Sequence, residues 1–574
     1  MAESDTSIRS FSRQAELWFA LLITLASFAV RVHQVGFYSL SEDEAAKWEA
    51  IEQYRQGHFV AVNAEHPMLM KLLAWGTSSL GERWNVHAIR HGWPIASREA
   101  WLRLPNVILG AATTFVLYLL ARSLLGGVGA LATASFWAFG PLPVALNRLL
   151  KEETPLVFFS LLACYFYLRA KKAPNNGQVH TWLGLSAIGF GLSFASKYAP
   201  QLFGLNALAW YVAGRRGLDP RGSIVPLRFY VLIMITFLLC NPVIVVPADV
   251  QSMFHWIQQG GAQHTGYNLA GTLYLNQPGF TQPTVPWYFY GWLLLVKTPL
   301  PVLAAILAGS VLLLRRRDSL LSTIFLSLGL IQLVGLSAFP GKWIRYVLGV
   351  LPFLFLAGGH AVQQLYDWLS TRSMGPRVFA VGMLVVISLT YLELRSWDPY
   401  YSFYLNALGG GLSKTAQYFS PDEVSEFDAR ETATSVSRSA PRDARLATSK
   451  PRTMSYYLQR DGREDIQVIS LYDHDYTPES GDLVLAEDSR RYFETTKLLD
   501  WLRSSELPHQ DVKVGPVLAT TIYYFRPFAP AESHDDASTN IMAGATIRST
   551  PLLAGNIVPE ANVRKLRSTG VQRR

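Results

Sequence analysis

Apolar runs long enough to cross a bilayer, which takes roughly 20 helical residues, recur from the N-terminus to about residue 396. They lie near 14–35, 101–121, 128–147, 153–170, 181–197, 199–214, 227–247, 298–314, 318–339, 344–366 and 377–396. The pattern predicts a mainly α, polytopic membrane protein of about eleven transmembrane helices. The first run is too long and too poorly flanked for a cleavable signal peptide, so it is expected to remain. Basic residues fall in every second connection: Arg9 and Arg13, then Arg122, then Arg169, Lys171 and Lys172, then Arg215, Arg216, Arg221 and Arg228. Arg315, Arg316 and Arg317 follow, and finally Arg372 and Arg377. Cytoplasmic connections are the basic ones, which places the N-terminus in the cytoplasm of a plasma (inner) membrane. An odd number of crossings then puts everything after residue 397 outside.

Three large polar pieces share that outer side: residues 36–100, 248–297 and 397–574. The second carries almost no charge besides Asp249 and Lys297, and ends in the aromatic stretch Pro286–Trp292. Trp and Tyr prefer the headgroup level, so an interfacial helix is expected there, with a new span beginning at Thr298. One continuous helix would bring Lys297 near mid-bilayer, at about 2.5–3.5 kcal/mol. In the C-terminal part, strands are predicted at Arg445–Thr448, Ile466–Ile469, Asp482–Leu485 and Leu518–Phe525, with helices near 421–437, 452–460 and 490–504. The expected organisation is a membrane unit over 1–396, an extracytoplasmic α/β domain over 397–527 and a flexible tail over 528–574.

Half of the 574 residues are hydrophobic and 16% are charged, against roughly 25% charged in a soluble domain. That excludes an ordinary cytosolic enzyme, a disordered chain and a disulfide scaffold. The net charge of +9 is mostly the topology signal already described, and not a nucleic-acid footprint. Cys164 and Cys240, the only cysteines, fall in apolar runs and read as packing residues. The sequence carries no Gly-rich phosphate loop, no solenoid-length repeat and no zinc-like Cys/His cluster.

The chemistry-bearing residues cluster at the outer ends of the spans. Ser41-Glu42-Asp43-Glu44 stands just past the first one. A carboxylate there can accept a hydroxyl proton, while Ser41 with Glu44 also spells a helix capping box; the two readings are compatible. Glu65-His66-Pro67 offers ligands for a divalent metal cation or a helix-initiating proline. Asn147-Arg148-Leu-Leu-Lys151-Glu152-Glu153-Thr154 packs four charges at membrane depth, costly unless paired or open to a cavity. Lys197, Lys297, Lys342 and Arg345 sit at the mouths of later spans. Each one alone can snorkel to the headgroups; together they suit an anionic lipid headgroup.

In order and spacing these pieces resemble the GT-C fold glycosyltransferases that use polyprenyl-phosphate sugars, above all the protein O-mannosyltransferases and their aminoarabinose-transferase relatives. The likeness rests on Asp43-Glu44, Glu65-His66-Pro67, Arg148 with Glu153, Ser196-Lys-Tyr198, His264-Thr-Gly-Tyr267, Val296-Lys-Thr-Pro299 and Lys342-x-x-Arg345-Tyr346, over about the first 400 residues. Met68 stands where the family has a second proline, and Glu153 where it has aspartate. The C-terminal part is not the MIR type of the eukaryotic mannosyltransferases. The resemblance implies inverting transfer of a sugar from a polyprenyl-phosphate donor to a hydroxyl acceptor, on protein, lipid or glycan. Asp43 would be the base, with Glu44 and Glu153 beside it. Lys197, Lys297, Lys342, Arg345 and Arg148 would hold the phosphate. His264, Tyr267 and Tyr346 would meet sugar and acceptor, and Glu65 and His66 would take the metal.

A transporter would place its charges at the midplane between repeated halves, and here they crowd at one interface. An oligosaccharyltransferase would share the fold, but the C-terminal part has no Trp-Trp-Asp motif. A membrane-anchored receptor would leave the acid–base clusters without a use.

Overall fold

The computed structural model describes residues 13–60, 62–219, 225–258, 264–277, 283–316, 319–414, 418–419, 426–472, 476–487, 492–515 and 517–525. Each of the eleven apolar segments is helical. The first half of the chain folds into α1 (Arg13–Val32), α2 (Glu42–Arg55), α3 (Leu69–His91), α4 (Arg98–Arg122), α5 (Gly127–Phe139), α6 (Pro141–Leu146), α7 (Glu153–Lys172), α8 (Asn176–Ser196), α9 (Pro200–Arg215), α10 (Leu227–Cys240) and α11 (Pro247–Gln258). After it come α12 (Phe289–Lys297), α13 (Leu300–Arg315), α14 (Leu320–Ile324), α15 (Gln332–Ala338), α16 (Leu351–Ser370) and α17 (Gly375–Ser396). A π-helical stretch, Phe325–Ile331, joins α14 to α15. Among the described residues, four helices are long and apolar enough to cross a membrane: α1, α4, the α14–α15 run and α17. Shorter apolar helices include α5, α10 and α13.

Burial sorts these helices. In α4, 67% of the apolar window is buried, against 22% in α1 and 11% in α17, so α4 is central and the other two are peripheral. Trp18, Leu22 and Leu25 on α1, and Val381, Leu384 and Leu392 on α17, stay exposed, an apolar surface suited to lipid. Inside, helices approach through small residues. At Gly309 a Cβ would lie 1.8 Å from the Ala357 carbonyl oxygen, so α13 crosses α16 at a position only glycine fills. The aromatic stretch expected at the interface forms α12, and Pro299 separates it from α13 by holding Thr298 extended (φ −110°, ψ 131°), as the residue before a proline prefers. Between α11 and α12, a hairpin of β1 (His264–Leu269) and β2 (Thr272–Asn276) adds an element the apolar pattern does not announce. Its turn uses Ala270 and Gly271, both at positive φ.

The C-terminal part holds α18 (Ala429–Ser439), α19 (Pro451–Arg460) and α20 (Phe493–Ser504) with a five-stranded sheet. Its strands are β3 (Arg445–Thr448), β4 (Gln467–Ser470), β5 (Leu483–Glu487), β6 (His509–Val514) and β7 (Val517–Tyr524), in the order β4-β3-β5-β7-β6. β3 runs parallel to β4 and β5, and β7 is antiparallel to both β5 and β6. The four expected strands lie within two residues of their predicted bounds. β6 escapes sequence reading because only Val512 and Val514 of its six residues are buried. The helix expected from 421 begins at Ala429; residues 421–425 and the tail from 528 lie outside the described residues. The described part of the chain forms one compact unit. Leu40, Ile51, Met70, Leu102 and Leu150 from the helical part share a single buried cluster with Val436, Leu446, Tyr457, Leu485 and Ile522.

Candidate functional site

The connections after α1, α6, α8 and α15 meet, since Lys151 pairs with Asp43, and Glu153 with Lys197 and Arg345. The site starts at the first turn of α2. Ser41 caps this helix by a capping box with Glu44. Glu44 is fully enclosed: it takes two bonds from Arg103 (2.7 and 2.8 Å) and one from the Leu150 amide (2.8 Å). Burial pushes its carboxyl up, but Arg103 and these amides outweigh that and bring it down to about 2. Glu44, expected beside the base, is thereby committed to joining α2, α4 and the 147–152 connection.

Successive residues of a helix point ~100° apart, so Asp43 faces elsewhere, into an ion pair with Lys151. Its side chain remains 39% open. Burial favours the protonated acid, yet Lys151, with Lys47 and Arg345 behind it, holds this carboxyl well below the usual range. One turn on, the enclosed Lys47 pairs with Glu152 at 2.9 Å. Glu153 follows, pairing with Lys197 at 2.5 Å and Arg345 at 3.4 Å, and its Oε2 has no hydrogen bond among the described residues. Lys197 lies 4.6 Å over the Tyr346 ring, and Arg345 4.9 Å over that of Trp343. Asp43, Glu153, Lys197, Arg345 and Tyr346 therefore belong to one continuous cluster. Its cations outnumber its carboxylates, Lys47, Lys151, Lys197 and Arg345 against Asp43, Glu152 and Glu153. Such a surplus in a partly dry site favours an anion.

Five other expected positions are not among the ion pairs of that cluster. Lys342, expected at the phosphate, turns its ammonium to the Phe339 carbonyl (2.7 Å), and its backbone amide to Asn276 (2.6 Å). Lys297 donates to the carbonyls of Ser402 (2.8 Å) and Tyr404 (3.2 Å), tying α12 to the segment after α17. Arg148 donates to Gln34 O at 2.9 Å and stacks 4.8 Å over Tyr401. Tyr267 is buried edge-on against Phe289 and Trp343, a packing residue of the β-hairpin; His264 opens β1.

Glu65 and His66, expected to hold a divalent cation, do not fit one. Glu65 accepts from Asn63 at 2.8 Å. Burial keeps the His66 imidazole below its usual range despite Glu152 nearby, but the acids that could complete a site, Glu152 and Glu153, already face Lys47, Lys197 and Arg345. Among the described residues no three His, Cys, Asp or Glu side chains gather around a point. Lys71 instead braces this loop, donating to Asn63 O (2.7 Å) and His66 O (2.9 Å). Burial pushes its ammonium down to about 8.

Lys47, Lys71 and Arg103 were not singled out from the sequence. A signal existed for two of them: Lys47 stands one helical turn after Asp43, and Arg103 is a charge inside an apolar span, which calls for a partner.

Residues 88–245 match the family described as dolichyl-phosphate-mannose-protein mannosyltransferase. The crystal structure of ArnT from Cupriavidus metallidurans in the apo state superimposes with a TM-score of 0.51 at 14% identity, over 89% of this chain and 99% of that one. The apo oligosaccharyltransferase of Archaeoglobus fulgidus superimposes at 0.50 with 11% identity, over 83% of this chain and 70% of that one. No curated protein matches by sequence. The family pattern at 88–245 and the arrangement of helices and C-terminal sheet together identify the fold of this chain as that of the GT-C glycosyltransferases.

Proposed function

We propose that the protein transfers a single sugar from a polyprenyl-phosphate donor to an acceptor hydroxyl, with inversion, on the non-cytoplasmic face of the membrane. The observation that carries this reading is the cluster itself: an open, ionised Asp43 beside a surplus of cations at one end of an apolar bundle. A small apolar pocket lined by Val157, Leu161, Leu202, Leu328 and Phe353 among others lies one turn along α7 from Glu153.

In this mechanism the acceptor oxygen attacks the anomeric carbon opposite the phosphate. Its proton passes to Asp43 as the new bond forms; the bond to the phosphate oxygen breaks, and that oxygen takes the electron pair. A carboxylate held so acidic is a weak base, so proton transfer runs late. Most of the barrier then falls on the leaving group, where Arg345 and Lys197 act as preorganised charge. Lys151 and Lys47 keep Asp43 ionised, and Lys151 pairs with it. The match over residues 88–245 favours mannose as the sugar.

The test is to incubate the purified protein with polyprenyl-phosphate mannose and a hydroxyl acceptor. Acceptor-dependent release of polyprenyl phosphate, with one sugar added per acceptor, is expected. Transfer of whole glycans from a lipid-linked oligosaccharide, with no reaction of the monosaccharide donor, would replace this reading by oligosaccharyl transfer.

A further inference from the structure

Helix α19 of the C-terminal part begins Lys450-Pro451-Arg452-Thr453. Its N-cap residue, Lys450, makes no side-chain cap bond, and a lysine ammonium has no acceptor to offer. The free amides of the first turn find their partner 410 positions earlier in the chain. Glu42 Oε1 accepts from the Arg452 amide (2.8 Å), and its Oε2 from the Thr453 amide (2.9 Å) and hydroxyl (2.7 Å). Glu42 precedes Asp43 in the first turn of α2. The residues before it are held by the same part of the molecule: the Glu42 amide donates to Glu426 (2.5 Å), the Leu40 amide to the Tyr457 hydroxyl (2.7 Å), and Ser39 to Phe427 O (3.1 Å). The Arg430 amide in turn donates to Ser39 Oγ (2.9 Å).

We infer that the C-terminal α/β part works as a clamp for the transfer site, and that Glu42 is its positioning residue, setting the first turn of α2 so that Asp43 faces Lys151 and the charged cluster. Three consecutive acids divide the labour by helical geometry. Glu42 reaches back to α19, Glu44 sideways to Arg103, and Asp43 is left to face Lys151. Neither anchor touches the reacting atoms. Together they remove the freedom of the turn to rotate, and small displacements of a reacting group cost large factors in rate. The inference rests on the transferase reading for its kinetic consequence, and on contacts alone for its structural one.

The test uses the full-length protein in detergent, comparing wild type, Glu42→Gln, Glu42→Asp, Thr453→Val and the variant carrying both Glu42→Gln and Thr453→Val. In the donor assay, Glu42→Gln is expected to lower kcat about tenfold or more while donor KM changes less than about twofold. Glu42→Asp, which keeps the charge, should recover part of kcat, and Thr453→Val should add little to Glu42→Gln because both cut the same contact. A kcat in Glu42→Gln within twofold of wild type overturns the clamp, whatever the melting temperature does. Hydrogen exchange decides the structural half. Amides 42–46 should exchange at least about tenfold faster in Glu42→Gln, with no change in α13; unchanged exchange there also overturns it. If wild type releases no polyprenyl phosphate, the transferase reading falls, and exchange alone then decides the clamp.

Discussion

Neighbouring residues of like chemistry part company when each meets a different partner. Asp43 and Glu44 are both ionised, but Glu44 is saturated by Arg103 and the Leu150 amide, whereas Asp43 stays 39% open beside Lys151. Asp43→Asn is expected to keep donor binding and lose about 10²-fold or more in kcat, read as polyprenyl-phosphate release alongside donor binding. Arg345→Ala should lower kcat/KM about tenfold or more, while Lys342→Ala, whose ammonium faces the Phe339 carbonyl, should leave it near wild type. Glu44 also sets a pH dependence. Its carboxyl sits at about 2 when folded, below the ordinary 4.5, so its contribution to stability is complete above about 4.5 and is lost as pH falls toward 2. Breaking such a buried pair costs about 3–5 kcal/mol. The melting-temperature gap between wild type and Glu44→Gln should therefore be flat from pH 8 to 5 and narrow below about 4.5.

Elements are placed here by small residues and prolines as much as by apolar pattern. Pro299 ends α12 so that Lys297 finishes a short helix and reaches the carbonyls of Ser402 and Tyr404; a continuous helix would have carried it into the bilayer. At Gly309 the α13–α16 crossing leaves no room for a Cβ beside Ala357 O. Gly309→Val should destabilise the protein by about 1–3 kcal/mol through overpacking, seen as a lower melting temperature in detergent, with donor KM little changed in the surviving folded fraction. The apolar pattern located the spans, with ends that differ from the helices by as many as seven residues at α10 and α16. It was silent on the β1–β2 hairpin, and on β6, which exposes four of its six side chains and so lacks the alternation that marks a half-buried strand.

At the scale of the whole molecule, the helical part and the C-terminal sheet share a core. Leu40, Met70 and Leu102 pack in the same buried cluster as Tyr457, Leu446 and Ile522, and Glu42 supplies the cap that α19 lacks. Cutting the chain before residue 426 should expose that cluster, giving aggregation on gel filtration and a melting temperature lower than the full chain's. If the basic connections are the cytoplasmic ones, the end of α17 lies on the opposite side and a reporter fused after residue 400 should be active only there; cytoplasmic activity would invert the topology.

From the sequence alone came the features that depend on local composition: the apolar segments, their alternating basic connections, the α/β character of the end of the chain, and the charged motifs crowding at the same ends of the spans. The sequence could not decide among like charges. Lys197, Lys297, Lys342 and Arg345 look alike as cations at helix mouths, and only tertiary packing turned Lys197 and Arg345 toward Glu153 and the other two toward backbone carbonyls. The reason is physical. Membrane insertion responds to the summed hydropathy of a segment, a property of neighbours in the chain, whereas the partner of a buried charge is set by which helices cross beside it. That is a contact between residues tens to hundreds of positions apart, as from Glu42 to Thr453.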